Sequence, residues 1–293
     1  MILGHKKQWD ILRKLAKAKK LPHALLFSGP EKLGKKKVAF RFVSLLFHKD
    51  IEKIAHPDFV FIEPNQREIQ ISQIRELAKE LSLKNFSAPL KAAVLDRAHL
   101  MNEQAQNCLL KTLEEPKTEA VIILVSEHPK LLLPTIVSRC QTIRFYPLGE
   151  KEIENYLISK GASPDKAKEI SRISLGQPGF ALDLFFGRSG VNSHRKAVSD
   201  LIEIFRKPLA FRFQYIKKLP EEPLPVLKIW LRYLRSLLIL QLNNKASEEI
   251  KGFGPEGVKE ILETLQKTIF FLETKNVNKK LALENLMLSF DKF

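Results

Sequence analysis

The chain has 293 residues, 44% of them hydrophobic and 28% charged, a composition that excludes a disordered chain and supports two or three domains. Its two cysteines, Cys108 and Cys140, exclude a disulfide framework and a four-cysteine zinc site, and neither sits in a nucleophile signature. The formal charge of +16 is concentrated in residues 1–50, where thirteen Lys or Arg face three Asp or Glu; such a field suits phosphate-rich partners and a merely solvated lysine surface about equally.

The opening MILGHKKQWD lacks the apolar run of a signal peptide. SLLILQL, among the longest apolar runs, ends at Gln241 far short of a membrane span. A soluble, cytoplasmic protein without a membrane partner is expected.

In chain order, QWDILRKLAKAKK carries Trp9, Leu12, Leu15 and Ala16 at helical spacing. HALLFSG is a short apolar run ending at Gly29, and KKKVAFRFVSLLF resumes helical periodicity. DFVFIEP is a second apolar run, closed by Pro64. ISQIRELAKELSL predicts a helix starting after Ile71 with Ser72 as its N-cap. KAAVLD is a buried strand ending at Asp96; a helix follows with Asn102 as N-cap and Pro116 beyond its end. AVIILVS and QTIRFYP are further strands. Strands alternating with helices predict an α/β domain whose sheet is largely parallel and covered on both faces.

After Pro147 the strand signal fades. Short helical stretches punctuated by Gly161, Pro164 and Gly176 predict a small helical domain, and GRSGVNSHR reads as a linker. From about Lys196 the pattern is helical throughout. Val226, Ile229, Trp230, Tyr233, Leu234, Leu237 and Leu238 form a stripe that needs a partner helix, either within the chain or on another subunit.

The stretch GPEKLGKKK places Gly29, Gly34 and Lys35 on the fixed positions of a phosphate-binding loop, in the strand–loop–helix context that motif requires. The next position calls for the hydroxyl that ligates Mg²⁺, and Lys36 stands there. A second element, an acidic residue ending the strand next to the loop strand, is met by Asp96, but Arg97 follows where a second acid could polarise water. With both the metal-ligating hydroxyl and the second acid missing, hydrolysis by this chain is not expected. His56 and His99 are assigned no catalysis.

The series HALLFSGP..LGK, HPD, IQISQIREL, VLDRAHLMN..AQNCLLKTLEEP and LLLPTIVSRCQ, from about Pro22 to Pro147, resembles the bacterial DNA polymerase III clamp-loader subunits of the AAA+ class. LLKTLEEP and LPTIVSRCQ are the specific strings; the bare loop pattern is weak. The resemblance implies an α/β AAA+ P-loop domain with a parallel sheet over residues 1–147. A small helical lid over 148–188 and an all-α collar over 194–293 would follow it. Within the family, a degraded nucleotide site beside a retained Ser138-Arg139-Cys140 is similar to the delta prime branch.

That resemblance implies that Arg139 reaches a neighbouring subunit's ATP in trans, with Ser138 and Cys140 shaping its turn. It implies a degenerate loop of Gly29, Gly34, Lys35 and Lys36, with Asp96 paired to Lys35 or Arg97 rather than to a metal shell. Ser126 falls at the sensor 1 position, and the sensor 2 arginine is missing near Gly179 and Phe180. SLLFHKDIEKIAHPD has no cysteine, so no zinc is expected, and neither another metal nor a bound nucleotide. Arg75 and Lys84 are the candidate DNA contacts. The implied partners are gamma/tau and delta subunits, the sliding clamp and primer–template DNA, and the chain by itself would not be an enzyme. Two other readings stay open: an autonomous gamma-like ATPase, and a basic DNA-binding protein on a relic AAA+ fold.

Overall fold

A computed structural model describes residues 3–17, 21–51, 56–65, 68–115, 118–187, 191–242, 254–274 and 277–290. Pro116 lies outside the described residues. The chain divides into two compact units, Met1–Leu182 and Asp183–Phe293.

The first unit alternates α1 (Lys6–Lys17), β1 (Ala24–Ser28), α2 (Lys35–Phe47), β2 (Phe59–Ile62), α3 (Ile71–Ser82), β3 (Lys91–Leu95), α4 (Glu103–Glu114), β4 (Ala120–Ser126), α5 (Pro134–Arg139) and β5 (Gln141–Arg144). The five strands form one parallel sheet in the order β2-β3-β4-β1-β5. Position follows composition. β4, with six fully buried residues, takes the centre, whereas β5 buries only Ile143 and β2 only Ile62, and these two form the edges.

This order corrects one expectation. The strand that leads to Asp96 is not beside the loop strand, because β4 lies between them. AVIILVS is the longest buried run and pairs on both sides, with β1 and with β3.

Side chains alternate across the sheet. Leu25, Phe27, Val94, Ile123 and Ile143 join Leu12, Val38 and Phe42 in one core. Leu26, Leu95, Ile122 and Leu124 join Ile74, Leu77, Leu109 and Ile136 in the other. Trp9, Leu15 and Ala16 pack partly buried beside Leu12, as their spacing predicts.

Two helix starts can be compared with their predicted caps. Asn102 Oδ1 accepts from the Ala105 amide at 2.8 Å, as expected. Ser72 is not a cap: the cap lies two residues earlier, at Gln70, whose N–H donates to Gln73 Oε1 at 3.0 Å. That side-chain bond satisfies the cap residue's own amide, the half of a capping box that the N3 side chain supplies.

Asp58, fully buried, fixes the connection from α3 to β3. Its carboxylate accepts from the amides of Phe86 (2.7 Å), Ser87 (2.8 Å) and Ala88 (2.9 Å), and Lys91 Nζ lies 3.7 Å away. Burial alone would raise the carboxyl's pKa. The three amides and the Lys91 ammonium outweigh burial and bring it down to about 2. His56 accepts from the Asp58 amide, which gives it a structural role.

α6 (Glu150–Ser159) and α7 (Pro164–Ser174) follow, with Ile153, Leu157, Ala167 and Ile170 buried, and then α8 (Pro178–Phe185). Leu148 N–H donates to Gly176 O at 2.8 Å, tying the end of this segment to its start.

The second unit contains α9 (Val191–Arg206), α10 (Leu209–Ile216), α11 (Leu224–Leu242), α12 (Pro255–Thr274) and α13 (Lys279–Ser289). The expected linker is shorter than GRSGVNSHR, since its last five residues open α9; Asn192 and Ser193 are tolerated there because first-turn amides welcome short polar side chains. The α11 stripe resolves inside the chain. Trp230, Leu234 and Leu237 are buried with Ile261, Leu265 and Leu286, while Val226, Ile229, Tyr233 and Leu238 are partly buried against them. Trp230 Nε1 donates to Ala197 O at 2.8 Å, so its one polar atom is satisfied in the core. Among the described residues no helix is long and apolar enough to cross a membrane.

Candidate functional site

The predicted loop residues gather at the carboxyl edge of the sheet, where parallel α/β proteins place their ligands. β1 ends at Ser28, and Phe145 N–H donates to Ser28 O at 2.7 Å. Gly29 turns there with φ +144°, and a Cβ on it would stand 2.3 Å from Phe145 O. Only glycine fits. Gly34, left-handed at φ 86°, delivers the chain into α2.

The two lysines that open α2 diverge, because successive helix positions point about 100° apart. Lys35 turns inward and is 4% exposed. Its ammonium donates to Gly29 O at 2.7 Å and to Pro30 O, so it is spent on the loop's own carbonyls. Burial lowers its pKa, and Glu127, Asp96 and Glu31 offset part of that shift. Lys36 leans over the sheet edge, 4.2 Å above the centre of the Phe61 ring, with Glu63 Oε2 at 3.2 Å and Asp96 Oδ2 at 3.7 Å.

The ion-pair partner of Asp96 is therefore Lys36, and not Lys35 or Arg97. Arg97 is exposed and left-handed at φ 49°. Asp96 and Glu63 are the carboxylates a divalent ion would recruit at this edge, and an ammonium stands between them. The donor set does not fit Mg²⁺–nucleotide: the ligating hydroxyl is replaced by a cation that repels the metal. Glu63 gave no motif signal; only its place at the end of an apolar run marks it.

Ser126, at the end of β4, is fully buried, with Oγ 3.5 Å from His99 Nδ1. The segment that carries Gly179 and Phe180 packs directly on the loop. Gly179 N–H donates to Lys32 O at 2.8 Å, and a Cβ at 179 would also meet that oxygen at 2.8 Å. The close approach uses the missing side chain.

Arg139 ends α5 on the other side of β1, ahead of edge strand β5. One guanidinium nitrogen bonds Glu114 Oε1 at 2.6 Å and another donates to Thr135 O at 3.1 Å. The side chain keeps 39% exposure. Ser138 Oγ donates to Thr135 O at 3.0 Å and closes the same turn. Cys140 packs partly buried against the core, and burial pushes its thiol up to about 11. It is not poised as a nucleophile. Arg75 on α3 and Lys84 beyond it are both exposed. They do not converge with the loop into one cluster of contacts.

Sheet order, loop and flanking helices define the class: a P-loop α/β domain of the AAA+ fold. The family described as "DNA polymerase III, delta subunit" matches residues 4–149. The chain is 29% identical to the DNA polymerase III subunit delta' of Bacillus subtilis, over 92% of this chain and 91% of that one. It is 27% identical to the subunit of the same name from Pseudomonas aeruginosa, over 90% of each. In fold it is similar to a DNA polymerase III gamma subunit-related protein of Thermotoga maritima, with TM-score 0.53 at 19% identity, over 97% of this chain and 98% of that one. In sequence the chain is thus similar to clamp-loader subunits of bacterial DNA polymerase III.

Proposed function

We propose that this chain serves as the delta prime subunit of a bacterial clamp loader, hydrolysing no ATP itself and supplying Arg139 to ATP held by a neighbouring gamma/tau subunit. The observation that carries this reading is the Lys36 ammonium between Asp96 and Glu63, where a catalytic metal would need a hydroxyl and two free acids. Arg97 beyond Asp96 and Gly179 against Lys32 point the same way. Arg139, by contrast, stays part-exposed and, among the described residues, is held by a surface acid and a carbonyl. A guanidinium is always charged and can span two phosphate oxygens, which suits a charge-stabilising role in trans. The partners under this reading are gamma/tau and delta subunits, the sliding clamp and primer–template DNA. Arg75 and Lys84 are the DNA contacts to probe first.

The test assembles the loader with wild type or Arg139→Ala and measures ATP hydrolysis stimulated by clamp and primed DNA. Loss of stimulated hydrolysis in an intact complex is expected. An unchanged rate in a complex that still forms would sink the trans role. The intact glycine–lysine frame of Gly29, Gly34 and Lys35 favours a second reading, an autonomous ATPase; that reading requires the isolated chain to hydrolyse ATP and Lys36→Thr to raise the rate.

A further inference from the structure

Three metal-binding side chains that no motif joins meet beside the loop: His99, Glu127 and His128. Each offers a ligand atom, and these atoms all lie within 4.8 Å of one another. The His99 and His128 rings are 5.1 Å apart between centroids and nearly perpendicular, at 79°. Backbone register brings them together. Leu95 on β3 pairs with Leu124 on β4, so His99 and His128 each stand four residues past a paired position, and Glu127 three. Both histidines sit at 3₁₀ turns, His99 within one and His128 at the N-terminal boundary of the next. The ends of the two strands thus hold the group on short, fixed connections.

We infer that His99, Glu127 and His128 form a binding site for a transition-series divalent cation of the Zn²⁺ type. Two imidazoles and a carboxylate suit Zn²⁺, Co²⁺ or Ni²⁺ and leave a coordination position for water, whereas Mg²⁺ prefers oxygen ligands alone. Metal–ligand bonds of about 2.0–2.2 Å put ligand atoms roughly 3.3–3.5 Å apart in a tetrahedral site. Modest side-chain rotations bring the three inward by the difference. Ser126 Oγ, 3.5 Å from His99 Nδ1, is placed to hold that nitrogen and leave Nε2 to the metal. Glu127 also faces the Lys35 ammonium. A metal therefore competes with that cation for the carboxylate, which links this site to the loop.

The full chain, freed of metal with a chelator, is titrated with Zn²⁺ by calorimetry and with Co²⁺ by visible absorption, with Mg²⁺ as control. One equivalent of Zn²⁺ and of Co²⁺ should bind, Co²⁺ with a low-symmetry ligand-field spectrum, and Mg²⁺ should not compete. His128→Asn and Glu127→Gln should each weaken Zn²⁺ binding at least tenfold, with folding verified by circular dichroism. His99 is 7% exposed, so His128 and Glu127 are the safer positions to change. Absence of saturable binding overturns the assignment. So does unchanged affinity in a folded His128→Asn/Glu127→Gln double variant, because the metal would then sit on others of the seven histidines or on the cysteines.

Discussion

The Lys35 ammonium and the Arg139 guanidinium belong to the same α/β unit and are held in opposite ways. Lys35 is folded inward onto Gly29 O and Pro30 O, in a loop pinned by Phe145 on one side and Gly179 on the other. Arg139 stands at the end of a short helix, tied to a half-exposed Glu114. A surface pair of that kind contributes about 0–1 kcal/mol and is readily exchanged for another anion. One corner of the domain is closed by its own backbone; the other holds a cation in a surface ion pair. Under the proposed role, the difference means that a single fold can lose the parts used internally and keep the part turned outward.

The comparison can be broken most forcefully at the outward corner. Under the proposed role, Arg139→Lys in the assembled loader should forfeit most of an effect on the order of 10³-fold on the neighbour's ATP, because an ammonium cannot reproduce the two-point fork. Single-turnover hydrolysis in the complex measures it, and near-wild-type rates would reduce Arg139 to a generic positive charge.

Asp58→Asn tests the scaffold. Replacing a buried carboxylate that holds three amides should lower unfolding free energy by about 2–3 kcal/mol at neutral pH. Because the folded-state pKa is depressed to about 2, the carboxylate's stabilisation is complete above the ordinary aspartate range and lost as pH falls toward 2. Urea titrations across that window should show a flatter acid limb in the variant.

Gly179→Ala sharpens the account of the inward corner. Its Cβ would meet Lys32 O at 2.8 Å, so destabilisation of about 1–3 kcal/mol is expected, read as a lower thermal midpoint. A neutral result would mean that α8 does not brace the loop. The smallest effect belongs to Lys36→Thr. Lys36 is 43% exposed in both ion pairs that the substitution removes, so stability should move by no more than about 1 kcal/mol. Under the proposed role the purified variant should show no ATP turnover, since Arg97 still follows Asp96.

Much of the fold was legible because the strands are short apolar runs and the helices carry their stripes plainly. Leu25 to Ser28, Val121 to Ser126 and the α11 stripe around Trp230 could be placed from spacing alone. Strand order could not, because adjacency depends on which buried runs pair, and nothing local says that β4 separates β3 from β1. Ser72 misled because a hydroxyl is the commoner cap, whereas the reciprocal Gln70 and Gln73 arrangement depends on side-chain reach. At the site, Gly29, Gly34 and the two lysines were visible as a motif. Glu63, which pairs with Lys36, and Glu114, which pairs with Arg139, were not, since each arrives from a distant segment.

The Asp58 carboxylate has a consequence for observation. The Phe86, Ser87 and Ala88 amides lie in a connecting turn, where backbone protons usually trade with solvent quickly, yet all three end on one buried acid. Their deuterium uptake should follow the opening of the β2–β3 edge as a body, not the fraying of a loop. Phe86, 82% exposed, rides on that turn. A probe attached at Phe86 would report from the surface while anchored to the core.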